Sequence, residues 1–355
     1  MKLHIFNNAN YSFSEPFFDF IESNFNISEH FFVILDDYSK SKYKTRNNLF
    51  IINSGHIKED KKQLMELLYK ADKIFIHNFA FRMWVNFVFA SHNQIMKKTY
   101  WIIWGGDLYH YKFREKSLKS EVNEFFRKKI IRNFRGIISL VDGDYKLAKQ
   151  WYGAKAEYYH SFYPNSVDYR YLDKIRNDKN NKDEVYIQIG NSADPSNKHE
   201  EVFEYLSKFS KEKIKVFCPL SYGDKEYAVK ISEIGRTIFG DKFVPMMNFL
   251  VAKEYGEFLN SIDIAIFNHD RQQGLGNILY LLYLEKKVYI KNDITPWVYF
   301  KNMGISIFNT YDIMNSTFEE LKKIESSEKE KNYMIIKKEF SEEKCFECWK
   351  RIFES

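Results

Sequence analysis

DKIRNDKNNKDEVYIQIGNSADPSNKH, residues 173–199, contains both a break in the chain and the restart after it. Asp173 to Glu184 is nearly all charge and amide, offers nothing to bury, and reads as a linker. EVYIQIG (184–190) comes directly after it, a β-rich run closed by a glycine. Upstream, strand-like runs lie at 2–7, 31–36, 49–53, 73–78, 99–105, 135–141 and 156–162. Helical patterns at 14–25, 60–71, 81–96, 117–133 and 143–152 separate them. Downstream, 213–220, 242–247, 264–268, 287–290 and 305–308 again alternate with helices. Alternation on both sides of a polar break predicts an α/β chain with two parallel, doubly wound sheets, each covered by helices. The expected domains are 1–172 and 185–316, with linker 173–184. A polar helical region, 317–355, is expected to pack back on the first domain.

Composition allows this. A chain of 355 residues that is 45% hydrophobic can bury two cores, and six prolines with fourteen glycines leave most of it free for regular structure. Cys218, Cys345 and Cys348 do not make a disulfide framework. Cys345 and Cys348 form a lone C-x-x-C in a Lys/Glu-rich helix, read as two thiols on consecutive turns. MKLHIFNNANYSF has no signal-peptide apolar core, and the longest apolar runs are about half the roughly 20 residues a membrane span requires. A cytoplasmic location is expected.

The net charge of +6 is modest, so its placement matters more. Between Tyr109 and Arg135, lysines and arginines outnumber acids and are interleaved with Tyr109, Tyr111, Phe113, Phe125, Phe126 and Phe134. Such a helix suits an anionic membrane face, or it is a solvated helix with its aromatics in the core. No nucleic-acid module accompanies it, which argues against a nucleic-acid partner.

In open α/β sheets ligands bind beyond the carboxyl ends of strands, where helix N-termini present free N–H groups to anions. Three loops of the second half stand at such ends. In IGNSADPSNKH (189–199), Gly190 permits a sharp turn, Asn191, Ser192 and Asn197 offer hydrogen bonds, and Lys198 supplies charge. The loop is not a Walker A or dinucleotide fingerprint, and an ordinary capped loop is the competing reading. In CPLSYGDKEY (218–227), Tyr222 is placed to stack on a base or simply to pack. In FNHDRQQGLGN (267–277), Arg271, Gln272 and Gln273 precede Gly274, Gly276 and Asn277 at a helix start. Arginine matches phosphate in two-pronged fashion and glycines allow close backbone approach, so anion binding is favoured there. In the first half, WIIWGGDLYHY (101–111) presents Asp107 after a strand, and IFIHNFAFR (74–82) presents His77. Asp107 is a candidate base or a helix cap, and His77 a candidate base or a satisfied hydrogen-bonder.

Taken together, these segments resemble glycosyltransferase family 56, the TDP-N-acetylfucosamine:lipid II transferases. WIIWGGDLY (101–109) is similar to the family's W-x-I-W-G-A-D-L-Y, and IGNSADPSNKH to its V-G-N-S-G-D-x-S-N-x-H. RQQGLG (271–276) is similar to R-Q-Q-G-I-G, and IKVFCPLSYG (214–223) to V-K-V-x-x-P-x-x-Y. IHNF (76–79) matches H-G-Q-F more weakly. The chain departs from the pattern at Gly106, Ala193, Pro195 and Asn78, which bears on the sugar more than on the reaction class. The resemblance implies a GT-B architecture, two Rossmann-like domains facing each other across a cleft, with no required metal. It implies a TDP- or UDP-sugar donor, a polyprenyl-diphosphate-linked saccharide acceptor, and work at the inner face of the cytoplasmic membrane. On that layout Gly190, Asn191, Ser192 and the Gly274–Asn277 helix start cradle the diphosphate, with Arg271 neutralising the leaving group. Gln272 or Gln273 hold sugar hydroxyls, Tyr222 contacts the base, and Asp107, then His77, are the candidate bases. A base is required if the anomeric configuration inverts; if it is retained, Asp107 orients donor or acceptor. The competing readings are a sugar-nucleotide epimerase of the same shape and a non-catalytic nucleotide-binding protein.

Overall fold

The computed structural model describes residues 1–7, 11–35, 46–52, 57–165, 167–176 and 183–355. It divides into two compact units, residues 1–166 with 342–355, and residues 167–341. Each unit is built on one all-parallel sheet.

The first sheet has seven strands: β1 (Lys2–Asn7), β2 (His30–Leu35), β3 (Leu49–Ile51), β4 (Lys73–His77), β5 (Thr99–Ile102), β6 (Gly136–Ser139) and β7 (Glu157–His160). Their order is β3-β2-β1-β4-β5-β6-β7, so the winding reverses between β1 and β4. The second sheet holds β8 (Val185–Ile189), β9 (Ile214–Pro219), β10 (Phe243–Met246), β11 (Ile264–Phe267), β12 (Lys287–Ile290) and β13 (Phe308–Asn309). Its order is β10-β9-β8-β11-β12-β13, and its reversal falls between β8 and β11. At such a switch point the loops leaving the two strands diverge and open a crevice at the carboxyl edge.

Burial explains the near-continuous apolar strands. Helices cover both faces of each sheet, so β5, β6, β11 and β12 are buried at every position. Leu3, Ile5, Ile74, Ile76, Trp101 and Ile137 belong to the core of the first unit. Ile187, Ile189, Val216, Ile264 and Ile266 do the same in the second.

The structure places several boundaries differently from the sequence reading. The expected linker began at Asp173, but the division falls after residue 166, and Tyr169–Ile175 is a helix of the second unit. Asp173 accepts from the hydroxyls of Tyr283 at 2.7 Å and Tyr333 at 3.0 Å, which fixes that helix despite its polar sequence. Residues 177–182 of the linker, with positions 36 and 53 of the strand runs, lie outside the described residues. The expected tail splits: 317–341 stays in the second unit, whereas helix Glu342–Glu354 belongs to the first. There Trp349 is fully buried and donates its indole N–H to the Phe162 carbonyl at 2.8 Å. Cys345 and Cys348 are both buried on that helix, and burial pushes the Cys345 thiol up.

The basic-aromatic segment is two helices, Gly106–Phe113 and Leu118–Ile131, because Ser117 caps the second by accepting from the Ser120 N–H at 3.2 Å. Arg127 is not on its solvated side. It is 1% exposed, with its guanidinium donating to the Phe79 and Asp107 carbonyls and lying over the Phe79 ring.

Candidate active site

The switch point of the second sheet joins two of the loops singled out in the sequence. The loop after β8 turns at Gly190, whose φ is 64°; an added Cβ would come within 2.6 Å of Asn197 Oδ1. Asn197, fully buried, organises the rest of this loop. Its Oδ1 accepts from the Asn191 N–H at 3.0 Å and lies 3.0 Å from His269 Nε2. Its amide donates to Ser192 Oγ at 3.2 Å and to the Asp194 carbonyl at 2.9 Å. The loop after β11 then locks on from the other side. Gln273 donates to Asn191 Oδ1 at 3.0 Å and accepts from the Ser196 hydroxyl at 2.8 Å. The Asn191 amide reaches Tyr222 Oη at 2.6 Å, which ties in the third loop, itself joined by a parallel bridge between Ala193 and Gly223. Tyr222 leaves its ring half exposed above this knot.

At the centre, Gly274 stands at φ 65° and begins helix Leu275–Tyr283 with no side-chain cap. The first N–H groups of a helix have no intrahelical acceptor, so Leu275, Gly276 and Asn277 present an anion-attracting end. A Cβ on Gly276 would meet nothing within 4 Å. Asn277 turns its side chain away to accept from Tyr255 at 2.8 Å.

Three cations of these strand-end loops have carboxylate partners. Arg271 donates to Asp194 Oδ2 at 3.1 Å. Lys291 reaches Asp270 at 2.9 Å, and Lys198 lies 3.3 Å from the same carboxylate. Burial pushes the Asp194 carboxyl up, but hydrogen bonds from Ser196 and the Arg271 charge outweigh it and hold the group below its ordinary range. Gln272 differs from Gln273: it is 7% exposed, and its Oε1 has no hydrogen-bond partner among the described residues. The sequence treated the two glutamines alike; the fold consumes Gln273 internally and leaves the Gln272 carbonyl unspent.

In the first unit, Asp107 is 2% exposed. Its carboxylate accepts from the N–H groups of Phe79 (2.8 Å), Trp104 (3.0 Å) and Leu108 (3.1 Å) and from the Trp101 indole (2.6 Å). Burial pushes this carboxyl up, and the hydrogen bonds from Trp101, Phe79 and Trp104 and the nearby Arg127 charge only partly offset it. His77 is fully buried, with Nδ1 against the Tyr163 hydroxyl and Nε2 3.1 Å from His4 Nδ1. Among the described residues, no group of three or more His, Cys, Asp or Glu side chains is arranged to hold a metal ion.

The family of 4-alpha-L-fucosyltransferases, glycosyl transferase group 56, matches residues 16–342. The chain belongs to glycosyltransferase family 56. Solved structures of low identity share its fold over their whole length. One is Anabaena HepE, crystallised with UDP and glucose: 9% identity, covering 100% of this chain and 99% of that one, with a TM-score of 0.71. A glycosyltransferase from Rickettsia africae has 12% identity, 99% and 97% coverage, and a TM-score of 0.68. WaaG, a glycosyltransferase of lipopolysaccharide biosynthesis, has 8% identity, 99% and 98% coverage, and a TM-score of 0.62. This family 56 enzyme therefore has a GT-B fold of two Rossmann-like domains.

Several residues of these two candidate regions were not legible in advance. Asp194 lay inside a quoted motif, but only folding shows it clamping Arg271. His269 sits inside FNHDRQQGLGN and is the buried neighbour of Asn197. Tyr163 carried no sequence signal, since it is 86 residues from the His77 it meets.

Proposed function

We propose that this enzyme moves a deoxyamino sugar, 4-acetamido-4,6-dideoxygalactose or a close relative, from a TDP- or UDP-sugar to a polyprenyl-diphosphate-linked saccharide of the bacterial cell envelope. The observation that carries the reading is the uncapped start of helix Leu275–Tyr283 at the switch point, with open space over Gly276 and Arg271 beside it. In the transfer, the bond between the anomeric carbon and the β-phosphate oxygen breaks, a bond to the acceptor oxygen forms, and the acceptor's hydroxyl proton passes to solvent water. The negative charge that builds on the diphosphate falls on the free N–H groups of Leu275, Gly276 and Asn277 and on Arg271, with Gly190 and Ser192 flanking. These donors carry the load without a metal in this proposal. Gln272 takes a hydroxyl of the donor sugar and Tyr222 the base. Asp107, whose oxygens are filled by N–H donors, holds the acceptor-side loop in shape.

The exposed face of helix Leu118–Ile131 suits an anionic bilayer. Leu118, Val122 and Phe125 are 85%, 44% and 69% exposed, at helical spacing, among exposed Lys119, Lys128, Lys129 and Arg132. No described helix is long and apolar enough to cross a membrane, so contact through this face is the proposed mode of attachment.

Thermal unfolding with TDP, UDP and GDP tests the donor reading. A rise in melting temperature with TDP or UDP is expected, and no rise with any of the three sinks it.

A further inference from the structure

A chain of buried imidazoles crosses one face of the first sheet, from its amino edge to its carboxyl edge. His30 opens β2, His4 lies within β1, and His77 closes β4. Parallel register puts Lys2 beside His30, His4 beside Phe75 and Phe6 beside His77, so side-chain alternation sends all three imidazoles to the same face. His30 Nδ1 is 3.0 Å from His4 Nε2, and His4 Nδ1 is 3.1 Å from His77 Nε2. His77 Nδ1 then meets the Tyr163 hydroxyl, which also accepts the Trp104 indole N–H at 2.9 Å. Phe17, Phe75, Trp349 and Phe353 wall the chain off from water. Burial pushes all three imidazoles below their ordinary value, which keeps them neutral near pH 7.

A neutral imidazole has one donor and one acceptor nitrogen, so the bonds along the chain must all point the same way. Two arrangements satisfy this. In one, Tyr163 donates to His77 and its oxygen, already holding the Trp104 N–H, accepts one further hydrogen bond. In the other, His77 donates to Tyr163 and the hydroxyl proton is presented outward. Either way, one defined hydrogen bond of Tyr163 remains for a group outside the chain.

That hydroxyl sits among aromatic faces. Trp104 follows β5, Tyr163 follows β7, and Phe13 lies on the helix after β1, so all three stand at the carboxyl edge. Trp104 and Tyr163 are partly exposed and Phe13 is 46% exposed, with its ring centroid 5.3 Å from Trp104 and 6.2 Å from Tyr163. The Asp107 carboxylate fixes the Trp104 backbone. Aromatic faces beside a preset hydroxyl match a sugar ring, which offers an apolar C–H face and hydroxyls at its rim.

We propose that Phe13, Trp104 and Tyr163 form the platform for a saccharide ring of the acceptor, and that His77, His4 and His30 are positioning residues whose shared hydrogen-bonding sense sets whether the Tyr163 hydroxyl donates to that ring or accepts from it. The proposal rests on the glycosyltransferase reading above. It gives His77 work through Tyr163 and none on the reacting atoms.

The test uses the whole chain with ¹⁵N-labelled histidine and tryptophan, and as probes N-acetylglucosamine, its β1,4 disaccharide, and that disaccharide on farnesyl diphosphate. The Trp104 indole signal is assigned with Trp104→Phe. Tyr163→Phe is expected to shift the ring ¹⁵N signals of His77 and also those of His4, which it does not touch. At least one probe should move the Trp104 indole, and Tyr163→Phe should weaken that probe about tenfold, the loss of one good hydrogen bond. His4→Phe, a ring of similar size among phenylalanines, should weaken it less and leave TDP and UDP affinity unchanged. A Trp104 signal that no probe moves, in protein that binds TDP or UDP, overturns the platform while the donor reading stands. A His4 signal indifferent to Tyr163→Phe overturns the chain. Protein that binds no nucleotide sinks the underlying reading instead.

Discussion

Arg271 donates to Asp194 at 3.1 Å, so the cation beside the candidate diphosphate site is already paired before any ligand arrives. Asp194 also accepts from the Ser196 N–H at 2.9 Å, capping the short turn that shapes the loop. Asparagine at 194 retains an oxygen for the cap and removes the countercharge. Asp194→Asn should therefore tighten TDP or UDP binding several-fold and steepen its salt dependence. Arg271→Ala should weaken it by about 10- to 100-fold, the range for a charge-assisted hydrogen bond at about 1.5–3 kcal/mol. Calorimetric titration reads both, and unchanged affinity in Arg271→Ala removes that residue from the site.

Gly276 gives a sharper test, because stability and binding should move in opposite directions. A Cβ there meets nothing within 4 Å, and the residue lies in the first turn of a helix. Gly276→Ala should raise stability by roughly 0.5–1 kcal/mol through the unfolded chain's lost freedom. The same methyl occupies the space proposed for phosphate, so nucleotide affinity should fall. Affinity equal to the parent's would mean that nothing binds over Gly276.

The two glutamines should separate in the same manner. Gln273 bonds to Asn191 and Ser196, and its loss leaves buried partners unsatisfied, so Gln273→Ala should cost about 1–3 kcal/mol of stability. Gln272→Ala should leave the melting temperature nearly unchanged and lower kcat/KM for the sugar nucleotide. The reverse pattern would exchange their roles.

Asp107→Asn distinguishes a structural carboxylate from a catalytic one. An asparagine amide would confront N–H donors now bonded to carboxylate oxygens, and the expected cost is roughly 3 kcal/mol of stability. A variant with parental stability and abolished turnover would restore Asp107 as a base.

Acid should destabilise this protein from about pH 6.5 downwards, before its carboxylates reach their ordinary titration range. Burial pulls His30 and His199 down to about 4 and His269 to about 3, from an ordinary 6.5. The unfolded chain therefore takes up protons at these sites near pH 6.5 while the folded chain resists them. The stability is fully present above pH 6.5 and is lost as pH falls from there towards 4, by up to about 3 kcal/mol per residue. Melting temperatures between pH 7.5 and 4.5 should fall steadily, and His199→Gln should flatten the slope. A level profile would mean these histidines are not buried in solution.

The two parallel α/β halves and the loops that matter were legible in the chain alone, because apolar alternation, glycines at strand ends and clustered polar residues are local signals. RQQGLG and GNSADPSNKH were marked as anion-suited on the same basis, since helix starts and arginine carry that chemistry wherever they occur. How the residues of those loops divide the work depended on the fold. Only the strand order places β8 next to β11, so that Gln273 is spent on Asn191, Arg271 on Asp194, and the Gln272 carbonyl on no partner among the described residues. The boundary after residue 166 and the division of the C-terminal region at residue 342 were hidden for the same reason: both depend on contacts between residues far apart in the chain, although the return of that region to the first unit was expected. So was the histidine chain, whose members are separated by up to 86 residues from the partners they touch. Local patterns specify elements and their ends, whereas hydrogen-bond partners across a sheet are set by strand order and register.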